Sequence, residues 1–322
     1  MVQAMIPQKW KVVVPTLNAA ANWPTFAPPL LACARPEQVV VIDSDSQDGT
    51  PALAREAGFE VRSIPRRDFN HGGTRQLAAE VLADTEILVY MTQDAILAEP
   101  EAIANLLAAF EKPGIAAVYG RQFPRNHAGA IEAHARRFNY PAVSDIHDLD
   151  SRERLGIKSI FISNSFAAYR RSALLAVGGF RKDVIFGEDT VTAARLLLSG
   201  YQVAYSAQAC VYHSHPYTWL QEFRRYFDIG VLHCREAKLL GEFGGAHGEG
   251  QRFVLSELKY LGRHAPGSIL SALIRNSLKF LGYRLGKMEA RWSPRIKRHL
   301  SMHPSFWTNE MRSTSPNQPI NT

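Results

Sequence analysis

The 322-residue chain has only three cysteines, Cys33, Cys210 and Cys234, and no CxxC spacing among them. So few, odd in number and scattered, they exclude a disulfide framework and a zinc knuckle and fit a reducing compartment. Long apolar runs are also missing: none reaches the ~18 residues of a membrane-spanning helix. The opening MVQAMIPQKWKVVV has no basic region followed by a long apolar stretch, so no signal peptide is read there. The protein is therefore expected to be cytoplasmic, soluble or peripheral. No GxGxxG follows the first strand-like run and no GxxxxGK[ST] occurs, which argues against a dinucleotide oxidoreductase and a P-loop NTPase. Internal repeats are absent.

What is present is an ordinary globular composition, 46% apolar, 21% charged and 10% aromatic, which excludes disordered and collagenous classes. The length suits two average domains or one large α/β domain with an appendage. Charge is unevenly placed. The net charge is +7, yet residues 251–300 hold eleven Lys/Arg against two acids, and the first 250 residues are slightly acidic. A basic C-terminal segment on a near-neutral body suggests one surface directed at an anionic partner.

Short apolar runs alternate with helical patterns through the first 120 residues. Lys11–Val14, Val39–Ile42, Phe59–Ile64, Ile87–Thr92 and Ala116–Tyr119 read as buried strands. Thr50 is placed to cap a helix with Pro51 at its first position and Gly58 at its end, and a second helix is expected over Glu101–Phe110. Such alternation predicts a parallel sheet covered on both faces, with ligands beyond the carboxyl ends of the strands. Residues 121–158, with His127, His134 and His147, read as helices and loops over that edge. Later come a strand at Phe166–Tyr169, a helix from Glu188 to Ser199, a strand at Gln202–Val211 and helical patterns at Thr218–Leu240, 251–263 and 268–286. The last twenty residues read as disordered.

Three strand ends are polar and small: PTLNAA at 15–20, IDSDSQDGT at 42–50 and YMTQDAI at 90–96. One acid at a strand end is often a turn-former, but three such ends on one sheet edge make a ligand site. NHGGTR at 70–75 precedes a helix, where backbone N–H groups and Arg75 suit a phosphate; a tight turn with a surface Arg fits the same residues. His213 and His215, on either side of Ser214, point the same way on an extended segment and form a candidate ligand pair.

With VVVPTLNA, VVVIDSDSQDGT, FNHGGTR, LVYMTQDA, NSFAAYRRSALLAVGGF, FGEDTVTAARLLLSGY and VYHSHPY in order over about residues 11–217, the chain resembles the inverting family 2 glycosyltransferases. Among them it is most similar to bacterial rhamnosyltransferases of O-antigen and exopolysaccharide assembly. The resemblance implies an α/β fold of the GT-A, Rossmann-like kind, a mostly parallel sheet flanked by helices. Residues 1–217 would form the nucleotide-sugar-binding and catalytic domain, 218–304 a basic helical extension and 305–322 a disordered tail. It implies donor-binding roles for Pro15, Thr16, Asn18, Asp43, Asp45, Asn70, Gly72, Gly73, Arg75 and Gln93. Asp94 maps to the last carboxylate of the DxD-type motif, with His213 and His215 as further ligands of Mg2+ or Mn2+. Gln93 stands where relatives carry an acid near the ribose, an amide compatible with a deoxyribose donor such as dTDP-L-rhamnose. Of the acidic pair, Asp189 maps to the general base and Glu188 to its neighbour that orients hydroxyls.

The implied partners are dTDP-L-rhamnose and a lipid-linked saccharide acceptor, without nucleic acid; no oligomeric state is implied. Two other readings stay open, the same fold with a UDP- or GDP-hexose donor and a non-catalytic sugar-nucleotide-binding scaffold. On a helical projection Leu270, Leu273, Ile274, Leu278, Leu281 and Leu285 share a face with Arg275 and Lys279 opposite. This suits a helix packed on the catalytic domain or one lying on an anionic membrane, and the basic excess favours the membrane, at the inner face of the cell membrane.

Overall fold

A computed structural model describes residues 9–244 and 248–314. Nine strands are found among them: β1 Trp10–Thr16, β2 Val39–Asp43, β3 Glu60–Ser63, β4 Ile87–Met91, β5 Ile96–Leu97, β6 Ile115–Phe123, β7 Asp145–His147, β8 Phe166–Arg170 and β9 Gln202–Tyr212. They form one sheet in the order β3-β2-β1-β4-β8-β6-β9-β5, with β7 pairing β9. The half from β3 to β4 is parallel; β8 runs antiparallel to β4 and β6, and β6 and β9 are again parallel. The parallel half carries the continuous runs VVV and VVVI because both its faces are covered. Val13, Val40, Leu88 and Tyr90 pack into one core layer while Val12, Val14, Val41 and Val89 pack into the other.

The helices are α1 Trp23–Cys33, α2 Thr50–Glu56, α3 His71–Val81, α4 Ala102–Leu107, α5 Ala130–Asn139, α6 Ser151–Leu155, α7 Arg171–Ala176 and α8 Glu188–Leu198. Beyond β9 lie α9 Trp219–Arg235, α10 Ala237–Gly241, α11 Glu249–His264, α12 Ile269–Gly286, α13 Pro294–Leu300 and α14 Pro304–Thr314. No helix among the described residues is long and apolar enough to cross a membrane. Three local expectations change. Gly49, not Thr50, is the N-cap of α2, and the Thr50 hydroxyl instead donates to Asp48 Oδ1 (2.6 Å). Helix α1 has no counterpart in the pattern because Pro28 and Pro29 lie inside it. The tail expected to be disordered from 305 begins with α14, anchored by Trp307, which is fully buried with Ile185, Phe227 and Val231. An aromatic of that size contributes ~3–5 kcal/mol when packed, enough to fix a short helix. Residues 315–322 lie outside the described residues.

The C-terminal helices pack back through α12, which runs against α9 at backbone contact. A Cβ at Gly282 would lie 2.3 Å from the Phe223 carbonyl oxygen, and one at Gly286 2.0 Å from that of Phe227. Those two glycines fix which side of α12 faces inward. Leu270 (70% exposed), Phe280 (67%), Leu281 and Leu273 consequently point to solvent. Arg275 and Lys279 lie on the packed side, ion-paired to Glu222 of α9. Of the face shared in projection, Leu270, Leu273 and Leu281 are thus outer, while Leu285 packs against the cluster of Phe227 and Trp307.

Candidate active site

Strand ends β1, β2 and β4 meet as expected, but their side chains do different work. Thr16 Oγ1 donates to Asp43 Oδ1 (2.9 Å), and Ser46 donates to Asp43 through both its hydroxyl (2.6 Å) and its N–H (2.9 Å). Asp43 is therefore a buried turn-former, while Asn18 and Asp45, both at positive φ, remain exposed at this edge, with Pro15 half-buried at the end of β1. The Asn18 side-chain oxygen accepts from the Gln47 N–H (2.9 Å), joining the two loops. Gln93 clamps Leu17: its Oε1 accepts from the Leu17 N–H (2.7 Å) and its Nε2 donates to the Leu17 carbonyl (3.0 Å). The amide thus ties the first loop to the turn that carries Asp94.

Asp94 sits after β4, and His213 and His215 follow β9, with the two strand ends brought together by the pairing of β5 with β9. Both Nε2 atoms lie 3.4 Å from Asp94 Oδ2, and the ligand atoms of all three residues fall within 4.8 Å of one another. That spread is close to the ~4 Å separating two donors on one divalent ion. Gln122 settles the tautomer of His213. Its Oε1 accepts from Arg136 Nη1 (2.9 Å) and lies 2.9 Å from His213 Nδ1, so Nδ1 carries the proton. Burial pushes both imidazoles down, His215 to about 4, so each is neutral. Burial works to raise Asp94, but the two histidines outweigh it and hold the carboxyl below the usual range. The Asp94 carboxylate and the two imidazole Nε2 atoms converge on one point, where a bound cation would be coordinated by all three. The donor set fits a divalent metal.

The second cluster stands at the N-terminus of α8. Glu188 Oε1 accepts from Arg75 Nη1 (2.7 Å) and Asn164 Nδ2 (3.1 Å), with the Arg75 and Glu188 side chains only 7% and 5% exposed. Asp189 accepts from the Asn164 N–H at Oδ2 (3.1 Å) and the Thr190 N–H at Oδ1 (2.8 Å). Burial and then the neighbouring Glu188 charge push Asp189 up to about 6, whereas Arg75, acting with His71 and Asn164 against burial, holds Glu188 low. One acid of the pair is neutralised by an arginine; the other keeps a basic carboxylate.

The phosphate expectation for residues 70–75 does not survive this arrangement. Asn70 Oδ1 caps the Gly73 N–H (2.8 Å), and Gly72 packs so tightly that a Cβ would lie 1.9 Å from the Arg181 carbonyl oxygen. With Arg75 engaged by Glu188, Asn70, Gly72 and Gly73 form a packed helix start that orders the acid pair, not an open phosphate cradle.

Both clusters line one cleft of about 950 Å³ whose opposite wall is α5, α9 and α12. Several residues in or beside it were not singled out in the sequence. Asn164 bridges both acids, and Tyr169 Oη donates to its Oδ1 (2.8 Å); only its place in the NSFAAY segment hinted at it. Gln122 and Arg125, whose guanidinium donates to the Asp94 carbonyl, lie in the stretch 121–158 that carried no clear pattern. His303, edge-on to His71 and stacked on Phe186, comes from the tail.

The model of glycosyl transferase family 2 matches residues 11–178. The chain is 44% identical over 309 residues to the O-antigen chain rhamnosyltransferase RfbN of Salmonella typhimurium, covering 95% of this chain and 98% of that one. It is 43% identical over 306 residues to the O-antigen chain rhamnosyltransferase WbaN of Salmonella anatum, covering 94% and 97%. Its fold is similar to that of the mannosyltransferase PcManGT from Pyrobaculum calidifontis, solved with GDP-Man and Mn2+. There the TM-score is 0.55 at 20% identity over 97% of this chain and 89% of that one. It is also similar to S. aureus TarS 1–349 with UDP-GlcNAc, at a TM-score of 0.52 and 15% identity over 88% and 92%.

Proposed function

The chain belongs to glycosyl transferase family 2, and from that premise we propose that it transfers L-rhamnose from dTDP-L-rhamnose to a hydroxyl of a lipid-linked saccharide in O-antigen assembly, with inversion. The observation that carries the reading is one cleft holding a metal-type cluster, Asp94 with His213 and His215, and a separate basic carboxylate, Asp189. The family's enzymes and the two rhamnosyltransferase relatives support the sugar. The donor set favours Mn2+ over Mg2+, because imidazole suits transition metals better than it suits magnesium.

Asp94, His213 and His215 would hold the ion on the donor diphosphate. When bound, it offsets the negative charge that gathers on the leaving group. Asp189 takes the proton of the acceptor hydroxyl as the new bond forms to the anomeric carbon and the bond to the phosphate oxygen breaks on the opposite face. Its two backbone hydrogen bonds fix the carboxylate, and a pKa of about 6 leaves it ionised near neutrality yet more basic than a free aspartate. Glu188, neutralised by Arg75, orients hydroxyls without competing for the proton. Asn18 and Asp45 at the β1 and β2 edge receive the nucleotide.

The C-terminal helices hold the enzyme on an anionic membrane surface through the exposed leucines and Phe280 of α12 with the exposed Arg284 and Lys287 beside them. Sedimentation with anionic but not neutral liposomes, lost in high salt, is the expected result; equal sedimentation without residues 251–300 would overturn it.

The test of function is transfer from dTDP-rhamnose, UDP-glucose, UDP-galactose and GDP-mannose to lipid-linked saccharide with Mn2+, the product's anomeric configuration being read by NMR. Inverted rhamnoside from dTDP-rhamnose alone is expected. Turnover with another donor would reassign the sugar, and retained configuration would remove Asp189 as the base.

A further inference from the structure

Beyond Asp189 the cleft is walled by residues of α9 and α12, and there its charge turns cationic. Arg275 Nη1 lies 3.1 Å from Glu222 Oε1 and donates to the Tyr217 carbonyl (2.8 Å). Lys279 Nζ is 3.9 Å from the other oxygen of the same carboxylate, beyond hydrogen-bond reach. The Lys279 side chain is 12% exposed, its ammonium lies 5.3 Å from the Phe253 ring centroid and 5.8 Å from that of Tyr226, and it makes no hydrogen bond among the described residues. Arg225, one turn along α9 from Glu222, has neither an ion-pair nor a hydrogen-bond partner among the described residues. Its guanidinium is 5.7 Å from the ring centroids of both Phe186 and Tyr217. Glu257, the next acid, is buried and hydrogen-bonded to Asn276 (2.6 Å). Two cations therefore share one carboxylate, Lys279 nearly buried without a hydrogen bond, and Arg225 adds a third, solvent-exposed guanidinium with no ion-pair or hydrogen-bond partner among the described residues.

A desolvated ammonium without hydrogen bonds is costly in the unliganded protein and becomes favourable when an anion fills its donors. Two guanidinium forks and a point charge suit adjacent phosphate groups. We propose that Arg225, Arg275 and Lys279 bind the diphosphate linking the acceptor saccharide to its lipid, placing the sugar end toward Asp189. This rests on the acceptor being lipid-linked. The donor's diphosphate is assigned separately to the metal-type cluster of Asp94, His213 and His215. The trio comes wholly from the helices beyond residues 11–178, outside the part of the chain that matches the family at large. The same helix, α12, carries on its outer side the leucines assigned to the bilayer, from which a lipid carrier arrives.

The experiment titrates farnesyl diphosphate, farnesol and dTDP with Mn2+ separately into the full-length protein and its Arg225→Gln, Lys279→Gln, doubly substituted and Lys279→Arg variants. Farnesyl diphosphate should bind the unsubstituted protein far better than farnesol, and the double variant should weaken that binding at least about tenfold, the loss of charged hydrogen bonds. Lys279→Arg should retain it, and affinity for dTDP with Mn2+ should be unchanged throughout. A matching loss of dTDP affinity would give the trio to the donor's diphosphate and overturn the proposal. So would farnesyl diphosphate binding that the double variant leaves intact, or that farnesol equals. No sugar donor is present in the farnesyl titration, so its failure is separable from a failure of rhamnosyl transfer.

Discussion

At the inner end of the cleft each acid has identified partners. Glu188 is matched by Arg75 and Asn164, Asp94 faces two imidazoles, and Asp189 is held by two backbone N–H groups. At the outer end Arg225 and Lys279 stand in the cleft with unfilled donors, and Glu222 is shared between Arg275 and Lys279. The difference separates two uses of charge within one cleft. Where counter-charges are built in, the protein fixes the ionisation of one group relative to its neighbour, as chemistry requires. Where they are left out, the missing charge belongs to a ligand.

The strongest test of the inner end is the contrast within the acid pair. Asp189→Asn should leave dTDP-rhamnose binding nearly intact and cut turnover by about 10²- to 10⁴-fold, the range for loss of a general base. If instead Glu188→Gln abolishes transfer with donor binding unchanged, while Asp189→Asn retains more than about a tenth of the rate, the two roles are exchanged.

Next in size is the compensation itself. Arg75→Gln leaves Glu188 buried without its cation and should lower unfolding stability by ~3–5 kcal/mol, read from urea midpoints. At the outer end, by contrast, Lys279→Gln should change stability little, because no full partner is lost there. Equal destabilisation at both ends would erase the distinction.

A smaller effect is expected at Gln122. Replacing it with Ala frees His213 Nδ1 and should weaken Mn2+ binding by ~10- to 100-fold with the protein still folded, measured by calorimetry. Unchanged metal affinity would mean that the tautomer is fixed by some other group.

Much of the inner end was legible in the sequence, and the reason is local. Strands with both faces buried leave continuous apolar runs, so the polar residues that break them, as at 15–20, 42–50 and 90–96, stand out. Asp94 could be marked because it lies where a run stops, whereas the pair 188–189 was marked by the resemblance of FGEDTVTAARLLLSGY to the family. What could not be read was which groups they meet. Nothing in FNHGGTR says that Arg75 turns to Glu188, 113 residues on, and away from a phosphate. At the outer end the sequence left two orientations of the helix open, for a packing reason. A projection weights leucines, but α12 is oriented by Gly282 and Gly286, whose missing side chains let α9 approach, and Leu270, Leu273 and Leu281 turn outward. Trp307 likewise sits in a Ser-, Pro-, Asn- and Thr-rich stretch whose composition hides one anchoring ring.

The finest distinction concerns pH, because two buried carboxyls are raised for the same reason and do different jobs. Burial, aided by Glu188, brings Asp189 to about 6, and burial brings Asp228 of α9 to about 7. Asp228 Oδ2 accepts the Met302 N–H (2.9 Å) and so holds the tail, not the acceptor. A base must be ionised, so transfer should fall as pH drops through about 6, with about a tenth of the rate left one unit below. Stability runs the other way. Each folded-state value lies above the ordinary 3.8, so each proton is held more tightly in the folded protein. The resulting contribution is complete below about 4 and lost as pH rises through about 6 for Asp189 and about 7 for Asp228. Asp228→Asn should therefore flatten the pH dependence of the urea midpoint between 6 and 7 while leaving the midpoint of the rate profile where it was. A rate profile that moves with Asp228→Asn would show that the tail, through Met302 and His303, reaches the base after all.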